Sequence, residues 1–252
     1  MDKLVTTSLE RRYRAEAYRR DCWVKAQAES LPPGSRILDA GAGASKYQPY
    51  FAHCRYETQD FCKYEGELVK YLKPIDYVCE ITAIPLENGC LDAVLCTEVL
   101  EHVTDPMAVL KEFSRLLKPG GRLLLTAPML SFVHMEPYHY YGGFTQFWYK
   151  HWLSRFGFII ESMIAYGGPG QNYWNHASGF FEVWRSAEPS LKQPKKAASK
   201  LARLALKCIF SAVPRRLFAQ WDPWLGSERI ASGWMVAAYK QAPTKTTAKD
   251  ER

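Results

Sequence analysis

The chain has 252 residues, is 47% hydrophobic and 14% aromatic, and carries a formal net charge of +7. That apolar content is enough for one sizeable core, while the absence of any apolar run of about 18 residues argues against a membrane-spanning helix. The first twenty residues lack the apolar centre of a secretory signal, and no nucleic-acid-binding motif accompanies the charge, so nucleic acid is not expected as a partner.

In chain order, residues 8–29 read as a polar, Arg-rich helix with Tyr18, Cys22 and Ala26 at helical spacing, stopped by "LPPGS". Strand candidates follow: "RILDA" at 36–40, the more polar "YETQD" at 56–60, "DYVCEI" at 76–81, "LDAVLCTEV" at 91–99 and "GRLLLTAP" at 121–128. The fourth is mostly apolar, which suits a central position. Between the last two lies a clearly written helix. Asp105 can cap it, Pro106 suits its first position, and Met107, Leu110, Phe113 and Leu117 form an apolar face before Pro119-Gly120-Gly121 stops it. Alternation of this kind predicts an α/β fold, a parallel sheet covered by helices on both faces.

From residue 129 the character changes. "MLSFVHMEPYHYYGGFTQFWYKHW" is dense in aromatics and carries His134, His139 and His151, which fits an ordered lid better than a linker. "FGFIIESMIAY" and "ASGWMVAAYK" read as two late strands. Between them, residues 168–228 form an insertion with an amphipathic helix around "SKLARLALKCIFSAV". The basic residues of this helix fit either a solvated, packed face or peripheral membrane contact through residues 195–216. The tail 241–252 is polar and expected to be disordered. The seven cysteines are scattered without a C-x-x-C pair, so they read as small core hydrophobes in a reducing, cytoplasmic setting; no metal site is expected.

The stretch "RILDAGAGASKYQPYF" decides the ligand class. Gly41 and Gly43 follow a strand, but Lys46 stands where a dinucleotide fingerprint has its third glycine. Asp39, at the strand's carboxyl end, would repel a pyrophosphate and favour a cationic ligand. S-adenosylmethionine carries an ammonium and a sulfonium. Its ribose would want a carboxylate about 20 residues further on, where Asp60 ends the second strand. Taken singly, the glycines also fit a ligand-free turn, and Asp60 an ordinary strand end.

Together, "ILDAGAG", "CEITAIPLENGCLDAVLCTEVLEHVTDP" and "LLKPGGRLLLTAP" resemble the class I S-adenosylmethionine-dependent methyltransferases, in the branch called type 11, over residues 35–128. The resemblance implies a Rossmann-like, seven-stranded, mostly parallel sheet with an antiparallel last strand. Length and composition lead us to expect a single domain over residues 1–240, with the N-terminal helix 8–29, an acceptor-side lid at 129–150 and the insertion 168–228. Asp39, Gly41, Ala42 and Gly43 would meet the methionyl end, Asp60 the ribose, and Glu80 and Ile81 the adenine. Thr97 and Glu98 would lie beside the cofactor. His102 matches the family's "LEHV"; as a residue it reads first as packing and hydrogen bonding on the helix.

Methyl transfer to a hydroxyl needs alignment, exclusion of water and removal of a proton, and a histidine suits the last task. The segment "SFVHMEPYHYYGGFT" resembles an H-x-E-P-Y segment of this branch, with His139 where an Asp is usual. His139 and His134 are therefore the candidate bases, and Glu136, Tyr138, Tyr140 and Phe144 the candidate acceptor contacts. "YGGPGQNYWNH" reads as a loop that could rim the pocket. The expected acceptor is a small molecule or glycan methylated at oxygen. A lipid-soluble ring methylated at carbon, an NAD-dependent oxidoreductase and a non-catalytic binding module are the competing readings; the oligomeric state stays open.

Overall fold

A computed structural model describes residues 15–71, 73–190, 195–212 and 228–242. Seven strands form one sheet: β1 (Arg36–Ala40), β2 (Arg55–Asp60), β3 (Tyr77–Val78), β4 (Leu91–Thr97), β5 (Leu117–Pro128), β6 (Phe158–Tyr166) and β7 (Gly233–Lys240). The spatial order is β3-β2-β1-β4-β5-β7-β6. β1 pairs parallel with β2 and β4, β2 with β3 and β4 with β5, while β7 runs antiparallel to β5. The expected antiparallel last strand is therefore present, and β4 is central. The strand order reverses between β1 and β4, which opens a crevice at their carboxyl ends.

The helices are α1 (Ala15–Glu29), α2 (Pro106–Leu116), α3 (Gln146–Arg155), α4 (Pro169–Ala187) and α5 (Lys195–Lys207). The core is apolar and aliphatic. Ile37 and Leu38, Val94 and Leu95, Leu123 to Leu125 and Val236 are all fully buried in the sheet. α2 starts as its sequence dictates: the Asp105 carboxylate accepts from Ala108 N–H at 3.0 Å, and Pro106 takes the first position. It ends one residue earlier than its apolar pattern suggested. Leu116 closes the buried face with Val109, Leu110 and Phe113, and Leu117 already belongs to β5. In α1 the expected spacing holds on a different face. Trp23, Val24 and Ala28 are buried, while Tyr18, Cys22 and Ala26 are exposed.

Three further readings are corrected. β3 is only two residues long, because 79–81 leave the ladder to form the site. "YGGPGQNYWNH" is no loop: Pro169 opens the 19-residue α4, a position where proline needs no N–H partner. Of the cysteines only Cys96 is buried; Cys22 and Cys208 are exposed and the other four lie between. No helix among the described residues is long and apolar enough to cross a membrane.

The chain divides into two compact units, residues 1–164 with 233–252, and residues 165–232. The first holds the sheet. The second holds α4, α5 and the π-helical turn Cys208–Ala212. The tail beyond 242 lies outside the described residues.

Candidate active site

A cavity of about 290 Å³ opens at the carboxyl ends of β1, β2 and β4, where the topology predicts a ligand. The turn after β1 is stitched to the end of β2. Gly41 and Ala42 N–H groups donate to the Gln59 carbonyl at 2.8 and 2.9 Å, and Gly43 N–H donates to Asp60 Oδ2 at 2.9 Å. Gly41 has φ +75°, and a Cβ there would stand 2.4 Å from Val99 Cγ2. Glycine is thus required by both conformation and space.

Asp60 is the structural hinge of this wall. Besides Gly43, its carboxylate accepts from Cys62 N–H at 2.9 Å and from the Tyr71 hydroxyl at 3.0 Å. A carboxylate offers about four acceptor positions, so these three donors leave room for one more. Glu80 and Ile81 line the same cavity. Glu98 also lines it, at φ +55°, uncommon for a residue with a side chain. It is held there by the Thr126 hydroxyl at 2.8 Å and by Arg20 of α1 at 3.0 Å.

The remaining sequence-derived residues are placed differently. Asp39 is only 2% exposed and does not line the cavity; its carboxylate accepts from the Tyr56 hydroxyl. Burial, partly offset by Tyr56, pushes its pKa up to about 7, with the neighbouring Asp60 adding to the rise. Ala42 is buried and Thr97 half-buried, both outside the lining. Tyr138 and Tyr140 line the cavity. Glu136 is exposed outside it, and Phe144 is buried against Trp148.

Three histidines gather at the lid. His102 and His134 ring centroids are 4.7 Å apart, as are His134 and His139, with 5.7 Å between His102 and His139. His102 lines the cavity and holds its Nδ1 2.6 Å from the Tyr138 carbonyl; His134 holds its Nδ1 2.8 Å from the Phe132 carbonyl. A carbonyl only accepts, so both rings carry Nδ1–H and leave Nε2 as an acceptor. Burial lowers the His102 pKa to about 4, and burial also lowers that of His139, followed by His134. His102 is therefore neutral near pH 7. Beneath the rings, Glu101 is 1% exposed, and its Oε2 has no hydrogen-bond partner among the described residues. Burial, reinforced by Glu98, drives its carboxyl well above the usual range. One donor atom from each of Glu101, His102 and His134 lies within 4.8 Å of the other two. No metal site was expected, yet this imidazole and carboxylate set has the chemistry to hold a divalent cation.

Gln59, Phe61, Tyr71, Val99 and Met135 are among the further residues of the wall and were not anticipated. Gln59 and Phe61 flank Asp60, so the end of β2 could have pointed to them. Tyr71 and Met135 come from irregular segments that carry no periodic signal.

Residues 38–125 match the family described as "Methyltransferase domain". Within those residues the chain carries a methyltransferase domain. The ubiquinone biosynthesis O-methyltransferase of Xanthomonas axonopodis pv. citri (strain 306) is 35% identical over 114 residues, which are 41% of this chain and 46% of that protein. The like-named protein of Xanthomonas campestris pv. campestris (strain B100) is 36% identical over 104 residues, 37% and 43% of the two chains. The chain thus spans less than half the length of these relatives. Among solved structures, a Galdieria sulphuraria protein provisionally assigned as a sarcosine dimethylglycine methyltransferase superposes with TM-score 0.54 at 15% identity, covering 90% of this chain and 88% of that one. The cyclase SpnF does so with TM-score 0.54 at 15% identity, covering 88% and 81%. A cyclase among the neighbours shows that the methyltransferase fold does not by itself fix the reaction.

Proposed function

We propose that this protein transfers a methyl group from S-adenosylmethionine to a hydroxyl of a small-molecule or glycan-type acceptor. The observation that carries the reading is the cavity itself: its wall includes Gly41, Gly43, Asp60, Glu80 and Ile81, and also His102, Tyr138 and Tyr140 of the lid side. One pocket thus offers partners for a nucleoside-like ligand, with His102 in its wall and His134, which is not in the wall itself, in ring contact with His102 at 4.7 Å.

Bound S-adenosylmethionine supplies an electrophilic methyl group on a sulfonium that needs no acid to leave. The protein's share is placement and proton removal. Gly41 and Gly43 allow the backbone to approach the methionyl end. Asp60 has one acceptor position left that would take a ribose hydroxyl, and Glu80 and Ile81, in the same wall, would flank the adenine. Asp39 does not contact the cavity and instead ties β1 to β2 through the Tyr56 hydroxyl. Thr97 and Glu98 back the cofactor, Glu98 with its backbone already held by Thr126. On the acceptor side, His134 takes the hydroxyl proton at Nε2, the atom its Phe132 contact leaves available. His102 and His139 sit around it, and Tyr138 and Tyr140 shape the pocket.

Oxygen as the acceptor atom draws support from the names of the Xanthomonas relatives. A second reading, an apolar ring as the acceptor body, is favoured by the exposure of Leu130, Phe132 and Val133 beside His134.

Calorimetry with S-adenosylmethionine, its demethylated product and NAD tests the cofactor. Binding of the first two alone is expected; if neither binds at about 1 mM, where only about 4 kcal/mol is needed, the reading fails. A radiolabelled methyl-transfer screen of cell-extract fractions, run with and without chelator, tests the acceptor half. Alkali-stable, ether-linked label that survives chelation supports oxygen transfer with His134 as base. Chelator-sensitive transfer would instead hand proton removal to a cation at Glu101, His102 and His134.

A further inference from the structure

Within the second compact unit, α5 presents its two faces in the reverse of the usual order. Ser199, Arg203 and Lys207 recur every fourth residue and form one stripe. Arg203 is buried, Lys207 is half-buried, and Ser199 accepts from Trp184 Nε1 of α4 at 2.7 Å. The polar stripe is therefore the packed one. The apolar residues point away: Leu201 is 72% exposed and Leu204 51%. The following π-helical turn continues the pattern, with Ile209 at 58% and Phe210 at 50%. An amphipathic helix that shows water its apolar face has a partner to meet.

The charge says which partner. Between Glu188 and Asp222 the sequence holds eight basic residues (Lys192, Lys195, Lys196, Lys200, Arg203, Lys207, Arg215 and Arg216) and not one acidic residue. Of the described ones, Lys195, Lys196 and Lys200 are exposed on the first turns of α5. A second copy of the chain would bring this basic stretch against itself, and like charges repel. An anionic surface would be attracted. At 13 residues and about 1.5 Å per residue, α5 is far too short to cross a bilayer, so it would lie in the interface plane.

We infer that α5 and the turn after it dock this protein on the anionic headgroup layer of a membrane. Leu201, Leu204, Ile209 and Phe210 enter the acyl boundary, and Lys195, Lys196 and Lys200 meet the phosphates. Docking is independent of methyl transfer and is read by a separate assay.

The full chain is co-sedimented with vesicles of phosphatidylcholine alone and of phosphatidylcholine with phosphatidylglycerol. Pelleting is expected only with the anionic vesicles, and it weakens as salt shortens the screening length. The paired change Leu201→Asp and Ile209→Asp abolishes it. Lys195→Gln, Lys196→Gln and Lys200→Gln together lower it by more than about tenfold. Both variants keep the wild-type circular dichroism and S-adenosylmethionine affinity, because no altered residue lines the cavity. Equal pelleting on neutral and anionic vesicles, or retention by the Leu201→Asp and Ile209→Asp variant, overturns the inference. So does a dimer in sedimentation equilibrium that the same variant dissolves, since the face then serves a second copy.

Discussion

Asp60 accepts from Gly43 N–H, Cys62 N–H and the Tyr71 hydroxyl, so one carboxylate ties the glycine turn to the segment after β2. Asp60→Asn keeps the shape but turns one acceptor into a donor, which must then face one of these N–H or O–H groups. We expect S-adenosylmethionine affinity to fall by at least about tenfold, measured by calorimetry, with a stability loss of about 1–3 kcal/mol for the unmatched donor. Gly143 is a second single-residue constraint. It sits at φ +145°, and a Cβ there would lie 2.3 Å from the Met129 carbonyl carbon and oxygen, which are backbone and cannot swing aside. Gly143→Ala must therefore displace the lid segment 129–143. The expected result is faster proteolysis within that segment and weaker acceptor turnover, with the affinity of the glycine turn for cofactor little changed. The Gly41–Gly43 turn and the position of Asp60 at the end of β2 were legible because their signal is local: a strand, a turn and a fixed spacing. The place of Asp39 near the carboxyl end of β1 was legible, but not its burial outside the cavity wall, since Tyr56 comes from the neighbouring strand and nothing in one strand announces its partner's hydroxyl.

Elements whose identity rests on short-range patterns were read correctly. β1 and β4 fall on their apolar runs and β2 on its more polar one, β5 begins four residues early at Leu117, and α2 starts at the capping Asp105. Asp105→Ala should cost about 1 kcal/mol, the usual value for losing a capping carboxylate, and Asp105→Ser should restore most of it. Urea denaturation of the two variants tests this. Equal midpoints for both would show that Ala108 N–H finds another acceptor and that the cap is dispensable. α4 was missed because its opening, "GGPGQN", carries turn residues that elsewhere break helices. What holds it is tertiary: Asn172 donates to the Ile230 carbonyl at 2.9 Å and accepts from Ser232 at 3.0 Å, some 60 residues away. Long-range partners of that kind override local propensity and leave no mark in the local sequence. The His102, His134 and His139 cluster is a similar case. The sequence shows the residues, and the pairing of the Tyr140 and Tyr141 N–H groups with the Glu101 carbonyl, at 2.9 and 3.2 Å, brings the lid to the "LEHV" turn.

Across the molecule, one buried and one half-buried ionisable group give stability opposite dependences on pH. Asp39 titrates at about 7 in the folded chain against 3.8 when free, so the native state holds a proton that the unfolded chain lacks in that window. Its contribution is complete below pH 3.8 and is lost as pH rises through 7. His102 is displaced the other way, to about 4 from 6.5. The unfolded chain takes that proton first, so the contribution of His102 is complete above pH 6.5 and is lost as pH falls through 4. At about 1.4 kcal/mol per pH unit, these amount to about 4 and about 3 kcal/mol. They oppose each other between pH 6.5 and 4 and largely cancel in the wild type. Single variants uncover them. On acidification from pH 7 to 4, wild type should gain about 4 kcal/mol relative to Asp39→Asn. From pH 6.5 to 4 it should lose about 3 kcal/mol relative to His102→Asn. Urea unfolding of the three proteins at pH 7.5, 6 and 4.5 reads both differences. Two difference curves of the same sign would mean that one of these groups is not buried as the cavity geometry requires. If the sign is wrong for His102, the neutral ring beside His134 is lost as well, and with it the arrangement that leaves Nε2 available to take a proton.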